Sequence, residues 1–395
     1  MSINYPRAFQ PTLPTKPTSY PFFWRAPNWR WWRPVVAVVV GGIGMLVTSL
    51  IFSAIGIAAD VARGALNPDD LMSFDGTQMT AGLFLANNAA LAALILVAFF
   101  ISAAIFKQRP GFMASVTGRI RWGWLGRCAI VIVPIWLLYI GYDWVAMAID
   151  GSIHELTVNG DTWLLIVGIL ITTPLQSAGE EYAFRGVVNR AAASFFGNQK
   201  LGLAIGLIVS STLFMFAHMA EDPWLNAYYF FFGAASCVLV WRTGGLEASI
   251  VMHVVNNVLS ESTMPFTDIS DMFDRSAGAA GPEVLIGIGV ITLATVLICW
   301  WAKKRGIERV AAPAESMADP VIAFGNQAGQ PASFAQPSAA WPAGSPQAPY
   351  PPETGPGAMT QPPAPAESAP PEWTPGQSTP AQPQNPLVNP RPWER

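Results

Sequence analysis

Long apolar runs restrict the fold of this chain more than any other feature. Eight runs carry almost no charge, and most are long enough to cross the roughly 30 Å hydrocarbon core of a bilayer as helices. They are residues 34–58, 81–106, 128–147, 162–182, 201–219, 224–241, 245–260 and 284–302. Only 12% of all residues are charged, about half the share of a soluble domain. The runs predict an all-α membrane protein, a bundle of about eight transmembrane helices.

Both ends of the chain lack such runs and predict disordered tails. Residues 1–33 are rich in aromatic and basic side chains, which suit a membrane interface. The first run begins at Pro34, too late for a secretory signal peptide, so it is expected to span the membrane. Residues 306–395 consist mainly of Pro, Ala, Gly, Gln and Ser and cannot bury enough apolar surface to fold. The predicted transmembrane domain is therefore 34–305.

The charges between the runs predict the orientation in the membrane. Basic residues concentrate in the N-terminal tail, in alternate loops and after the last run, whereas the loops between them are acidic, with Arg63 and Arg275 as exceptions. Positively charged loops stay in the cytoplasm, so both termini are expected there, in a multi-pass protein of the cell (plasma) membrane. The net charge of −3 gives no indication of a nucleic-acid partner, and the expected partner is the lipid bilayer.

Ionisable side chains inside apolar runs are costly, so the first interpretation of them is functional. Glu180, Glu181 and Arg185 lie together around the end of the fourth run. Arg185 follows Glu181 by four positions, so the two can pair on a helix, whereas Glu180 is rotated by roughly 100° and lacks that partner. This leaves Glu180 as the freer base. The alternative is an ordinary ion pair at a helix end, wetted by lipid headgroups.

Two of the three histidines also lie in apolar runs. His218 follows Phe214 by four positions, and His253 precedes Asn257 by four, so each pair shares one helix face. A single intramembrane histidine often only forms a hydrogen bond between helices. Two such histidines together with a Glu-Glu-Arg segment indicate a functional site. Glu180, His218 and His253 could also form a two-histidine, one-glutamate zinc site. No His-Glu-x-x-His element supports that alternative, and the metal stays open.

Three motifs follow one another on separate runs: Glu-Glu-x-x-x-Arg at 180–185, Phe-x-x-x-His at 214–218 and His-x-x-x-Asn at 253–257. In this order they resemble the CPBP family, which comprises the CAAX prenyl endopeptidases and their bacterial relatives, including bacteriocin-processing and immunity proteins. The resemblance covers roughly 162–260, the expected protease core, and leaves both tails out. It implies an intramembrane endopeptidase, commonly labelled a metalloprotease, that hydrolyses a peptide bond of a membrane-anchored peptide or protein.

Carried onto this chain, the resemblance implies that Glu180 activates the attacking water, supported by Glu181 and Arg185. His218 would help to position the water or the glutamate. A long fourth helix, continuing to about Phe195, is expected, because straight perpendicular helices would hold Glu180 and His218 near opposite membrane faces.

The resemblance further implies that His253 and Asn257 stabilise the oxyanion of the tetrahedral intermediate, which needs preorganised donors in a dry site. Asn256 is adjacent but off the motif spacing. Burying polar groups in apolar spans costs least free energy when the groups share one pocket. Glu180, His218, His253 and Asn257 are therefore expected within about 10 Å of one another around a water-containing cavity.

Two other function classes compete with the protease. A non-catalytic relative, a membrane scaffold or bacteriocin-immunity-type protein, would keep the pocket and bind a membrane partner, but a complete motif favours catalysis. A proton-coupled transporter would show corresponding broken helices in two repeated halves, and the sequence has no such repeat.

Overall fold

The computed structural model describes residues 11–70, 78–270 and 275–316, all within a compact unit that spans 1–330. Its elements in chain order are β1 Thr18–Ser19, α1 Trp32–Ala62, α2 Ala81–Ala92, α3 Leu94–Ala104, α4 Gly111–Ala114, α5 Trp122–Asp150, α6 Thr162–Glu180, a π-helix Glu181–Asn189, α7 Arg190–Ser194, α8 Gln199–Ala217, α9 Pro223–Thr243, α10 Glu247–Ser260, α11 Val284–Lys304, β2 Val310–Ala311 and α12 Pro313–Ser316.

The all-α membrane fold predicted from the apolar runs is confirmed. Within the described residues, seven helices are long and apolar enough to cross a membrane, with α2 and α3 forming one of them and α6 to α7 another. The remaining predicted run, 245–260, corresponds to α10, which has 14 residues. Large apolar side chains such as Leu46, Leu138 and Leu170 are more than half exposed, as expected for a surface that faces lipid rather than water.

The fourth spanning helix is long, as expected from the positions of the site residues. It runs from Thr162 to Ser194, 33 residues, without a break. Its middle section is the π-helix, a wide turn that is frequent at functional sites. At Gly179, just before this section, a Cβ atom would lie 2.0 Å from the backbone oxygen of Leu91. Glycine therefore lets α6 touch the backbone of α2, which brings the following glutamates deep into the bundle.

One end of the bundle carries the basic loops and is here called the basic end. The N-terminal segment packs there, contrary to the prediction of a disordered tail. Residues 11–33 are not a disordered tail, because Tyr20, Phe23 and Trp24 are fully buried. The Arg190 guanidinium carbon lies 3.6 Å from the centre of the Tyr20 ring and within 6.0 Å of the other two. The segment has no apolar periodicity, which predicted disorder. Its aromatic rings are ordered because they pack against the buried Arg190 guanidinium of α7.

The second correction concerns the start of the C-terminal tail. β2 pairs antiparallel with β1, with Ser19 opposite Val310. Residues 305–309, here called the stem, connect α11 to β2 and pass over Gly244, where a Cβ atom would lie 2.5 Å from the Glu308 backbone oxygen. Residues 306–314 are therefore packed on the bundle rather than part of a disordered tail. Residues 1–10 and 317–395, which carry the rest of the predicted tails, lie outside the described residues.

Ion pairs at both ends of the bundle set the position of the helices that form the site. At the basic end, Arg121 Nε and Nη2 donate to the two carboxylate oxygens of Glu247 at 2.8 and 2.7 Å, which ties the start of α10 to α5. At the opposite end, Arg63 pairs with Asp60 and Asp161, which accounts for its exception to the charge pattern. Glu247, a residue in an apolar run, is thus structural.

Candidate active site

The candidate site lies where α6 and the π-helix pass α10. Glu180 is the last residue of α6, and Glu181 is the first of the π-helix. His253 lies on the face of α10 that meets them, and its side chain, like both glutamates and Arg185, is buried. The geometry follows from helix periodicity on both sides, because the polar residues of each helix recur at intervals of three or four.

Glu181 is the centre of a buried charge network. Its Oε1 accepts a hydrogen bond from Arg185 Nη1 at 2.8 Å and one from His253 Nδ1 at 2.9 Å. The Arg185 guanidinium also lies 4.4 Å from the centre of the Phe214 ring, a cation–π contact. The pairing of Glu181 with Arg185 expected from the sequence is present, and it orients the imidazole of His253 through Nδ1.

Glu180 is held by a neutral amide rather than by a cation. Its Oε1 accepts a short hydrogen bond from Gln176 Nε2, one turn earlier in α6. Its Oε2 lies 3.7 Å from His253 Nε2 and accepts no hydrogen bond from any described residue, although it is buried. A buried carboxylate oxygen without a donor is unusual in a native structure and indicates a place where a polar ligand is received.

Asn257 joins the same network through an amide relay. Its Nδ2 donates to Gln176 Oε1 at 3.2 Å, and Gln176 in turn donates to Glu180. Asn256 Nδ2 donates to Asn257 Oδ1 at 3.1 Å, while Asn256 Oδ1 accepts from Tyr228 Oη at 2.7 Å. Asn256, off the motif spacing, is therefore the residue that orients Asn257.

His218 reaches the site from the end of α8. Its Nδ1 is 2.8 Å from the backbone oxygen of Phe214, and its ring stacks on Tyr229 with centroids 3.8 Å apart. The Phe214 ring contacts both histidines, at 4.6 Å from His218 and 5.9 Å from His253. Contacts therefore link the four residues: Glu180 meets His253 directly, Asn257 reaches Glu180 through Gln176, and Phe214 contacts both His218 and His253. A shared water-containing cavity stays a prediction.

The possible zinc ligands are Glu180, His218 and His253. Among residues 11–70, 78–270 and 275–316 there is no group of three or more His, Cys, Asp or Glu side chains that could hold a metal ion. Each histidine is oriented through Nδ1, His253 by Glu181 and His218 by the backbone oxygen of Phe214, which is also how metal-ligating histidines are commonly held. Zinc binding by Glu180, His218 and His253 stays a prediction.

Several residues of this site lie outside the three motifs. Gln176 precedes Glu180 by four positions, a signal that was available on the same helix face. Glu261, four positions after Asn257, accepts a hydrogen bond from Thr173 Oγ1 at 2.8 Å and continues the polar contacts between α6 and α10. Tyr229 had no signal, because its stacking on His218 depends on how α9 packs against α8.

Fold and site together define a multi-pass membrane protein that buries paired glutamates, a histidine and an asparagine between its helices. Residues 161–259 match the family described as type II CAAX prenyl endopeptidase Rce1-like. The resemblance to the CPBP family seen in the motifs is confirmed by this match. The uncharacterized protein YyaK of Bacillus subtilis (strain 168) is 26% identical over 211 residues, which cover 50% of this chain and 68% of that protein. No solved structure matches this chain significantly.

Proposed function

We propose that this protein is an intramembrane endopeptidase in which Glu180 activates the water that attacks a peptide bond. The observation that carries the proposal is the pair formed by Glu180 Oε2, which accepts no hydrogen bond from a described residue, and His253 Nε2, 3.7 Å away. A base without a donor, facing a nitrogen that can donate, suits a reaction in which water loses a proton and a carbonyl oxygen gains charge.

In the proposed reaction, Glu180 takes a proton from water as the water oxygen attacks the peptide carbonyl carbon. The π electrons of the carbonyl move to its oxygen, and His253 Nε2–H and Asn257 Nδ2–H stabilise the resulting oxyanion. Glu180 then delivers the proton to the amide nitrogen as the C–N bond breaks. The products are a carboxylic acid and an amine. His218, whose Nδ1 is engaged by Phe214, uses Nε2 to position the water.

The role of His253 requires a proton on both ring nitrogens. An ionised Glu181 can only accept, so the Nδ1 that bonds to it carries a proton, and Nε2 needs a second one to donate to an oxyanion. The cationic His253 and Arg185 then balance the two glutamates. A buried cluster with two positive and two negative groups carries no net charge, which lowers the cost of burying it.

Asn257 is prepared for its role by its neighbours. Its Nδ2 now donates to Gln176 Oε1, and in the proposal the substrate oxyanion replaces that acceptor. Asn256 holds the other end of the amide and is itself bonded to Tyr228 and to Trp136 Nε1. Donors that are already oriented need little reorganisation when charge develops, which favours the transition state over the substrate.

The proposed setting is the cell (plasma) membrane with both termini in the cytoplasm. The basic end of the bundle carries exposed cations of several loops, which supports a cytoplasmic position for that end. The proposed substrate is a membrane-anchored peptide or protein that reaches the site through the bilayer. The reaction as proposed uses no metal ion, so cleavage is expected to continue after dialysis against a chelator.

Glu180→Gln tests the assignment. Membranes from cells that express the wild type, Glu180→Gln or the control Glu221→Gln are compared by proteomics of newly formed N-termini. Glu221 is exposed in the loop that follows α8, so its variant controls for expression and for loss of one carboxylate. We expect cleavage products with the wild type and the control but none with Glu180→Gln at equal protein level, because an amide cannot take a proton from water.

Two outcomes would refute the proposal. If Glu180→Gln cleaves at the wild-type rate, Glu180 is not the base. If the wild type captures a membrane partner and produces no new N-termini, the protein is a scaffold that kept the site.

A further inference from the structure

A cavity of about 420 Å³ opens at the basic end of the bundle, away from the candidate active site. Its walls are the last turns of α9 and α11 and the stem that leads from α11 to β2. Ser19 of β1 closes one side. The cavity therefore lies at the level where two spanning helices leave the membrane, the level of lipid headgroups.

The lining of this cavity is strongly basic. Arg242, Lys303 and Arg309 contribute three cations and Glu308 one carboxylate, a balance of +2. None of the three cations forms an ion pair with a carboxylate in the part of the chain that the structure describes. All three are exposed at the surface. Three neighbouring cations outnumber the one carboxylate, repel one another and are stabilised by an anion.

The cavity is built by packed backbone rather than by a free chain end. Glu308 accepts a hydrogen bond on its backbone oxygen from Arg121 Nη1 at 2.9 Å, and the following residues form β2. Gly306 has φ +62°, a left-handed conformation that turns the chain sharply from α11 into the stem. The position of Arg309 relative to the two helices is therefore set before any ligand arrives.

Aromatic rings beside the cavity mark the membrane interface. The Arg242 guanidinium carbon lies 4.3 Å from the centre of the Trp241 ring, and Lys304 Nζ lies 4.3 Å from that of Trp300. Tryptophan prefers the headgroup region, and a cation over an indole is held there. Below the cavity, Val296 on α11 is 59% exposed, which offers an apolar surface to an acyl chain.

We propose that this cavity binds the phosphate headgroup of an anionic phospholipid, with Arg242, Lys303 and Arg309 as its cationic ligands. The phosphodiester fits the charge of the lining, and Arg residues can bond two of its oxygens at once. The acyl chains lie along the exposed apolar side of α11. Basic pockets between helices on the cytoplasmic side are suited to such lipids. Binding would clamp the stem, β2 and the N-terminal segment that pairs with it onto the bundle.

The test uses the full chain in a neutral detergent and counts bound lipid by native mass spectrometry during titration with phosphatidylglycerol or phosphatidylcholine. The site variant is Arg242→Gln, Lys303→Gln and Arg309→Gln combined. We expect phosphatidylglycerol to bind the wild type at least about tenfold more tightly than the site variant, because the site variant lacks the three cations that attract the phosphate. Phosphatidylcholine should not distinguish them.

The control variant removes the same charge from the same end of the molecule, with Arg109→Gln, Arg119→Gln and Arg127→Gln combined. These side chains are exposed and line no part of the cavity. The control should bind phosphatidylglycerol like the wild type. A charge-keeping variant, Arg242→Lys with Arg309→Lys, should retain most of the binding and guards against a site variant that fails to fold.

Three results would overturn the proposal. Equal loss in the site and control variants would mean that total charge, not the cavity, attracts the lipid. If the charge-keeping variant loses as much binding as the site variant, the cavity does not recognise the lipid by charge. Glycerol phosphate or inorganic phosphate that binds as tightly as the lipid would identify a soluble anion as the ligand.

Discussion

Trp24 provides a direct test of whether the N-terminal segment is part of the folded protein. Its side chain is fully buried, and its ring stacks on Phe106 with centroids 3.9 Å apart and planes 11° from parallel. It also contributes one wall of the aromatic cluster around Arg190. Replacement by alanine removes the stack and leaves a cavity, because the surrounding backbone is held by β1 and by the helices below it.

The magnitude follows from burial. Truncation of a fully buried tryptophan to alanine costs about 3–5 kcal/mol in the free energy of unfolding. Trp24→Phe should cost much less, under about 1.5 kcal/mol, because it keeps an aromatic ring and removes an indole N–H that has no partner among the described residues. Trp31→Ala is the matched control. Trp31 is 66% exposed in the same segment, so its variant should stay within about 0.5 kcal/mol of the wild type.

The assay is unfolding in mixed micelles with increasing denaturing detergent, followed by circular dichroism so that the lost tryptophan does not change the signal. Thermal inactivation of the monodisperse fraction gives a second measure. If Trp24→Ala and Trp31→Ala unfold at the same detergent fraction, the segment is not docked, and the sequence-based expectation of a disordered tail was right after all.

Three further predictions concern packing, charge and the C-terminal segment. Gly179→Ala should cost at least about 1–3 kcal/mol by overpacking against the neighbouring backbone, whereas Gly126→Ala, with no atom within 4 Å, should be neutral or slightly stabilising in the same unfolding assay. Arg185→Leu should cost about 3–5 kcal/mol because it leaves a buried carboxylate unpaired, and unfolding at the wild-type midpoint would contradict the ion pair. Deletion of 317–395 should leave the free energy of unfolding unchanged, whereas deletion of 306–395 should lower it by about 1–3 kcal/mol through loss of β2. Equal midpoints for the two deletions would show that β2 does not stabilise the fold.

Helix content and the polar positions of the site were readable from the residues. Partition between lipid and water acts on each segment separately, so apolar runs predict spans without knowledge of the fold. The pair of Glu181 and Arg185 was equally accessible, since four positions on one helix suffice to bring them together. The long fourth helix followed from one further condition, that Glu180 must be able to approach His218.

Other features had no local signal. The docking of Tyr20 and Trp24 on Arg190 joins residues that are more than 160 positions apart, and an aromatic segment without periodicity reads as a tail until its partner is known. The same holds for Asn256, which orients Asn257 only because Tyr228 of α9 lies against it.

The difference between what the sequence predicts and what only the tertiary structure decides has a physical reason. Helix formation and membrane insertion depend on the composition of some twenty consecutive residues, and these forces act before distant parts of the chain meet. Contacts between helices depend on which faces turn toward one another, and that choice is made by close packing at small residues such as Gly179 and by pairs such as Arg121 and Glu247. From the sequence alone, Glu180 and His253 are two polar residues in two spans. Their separation of 3.7 Å, with Glu181 behind the same imidazole, comes from the way α6 and α10 pack.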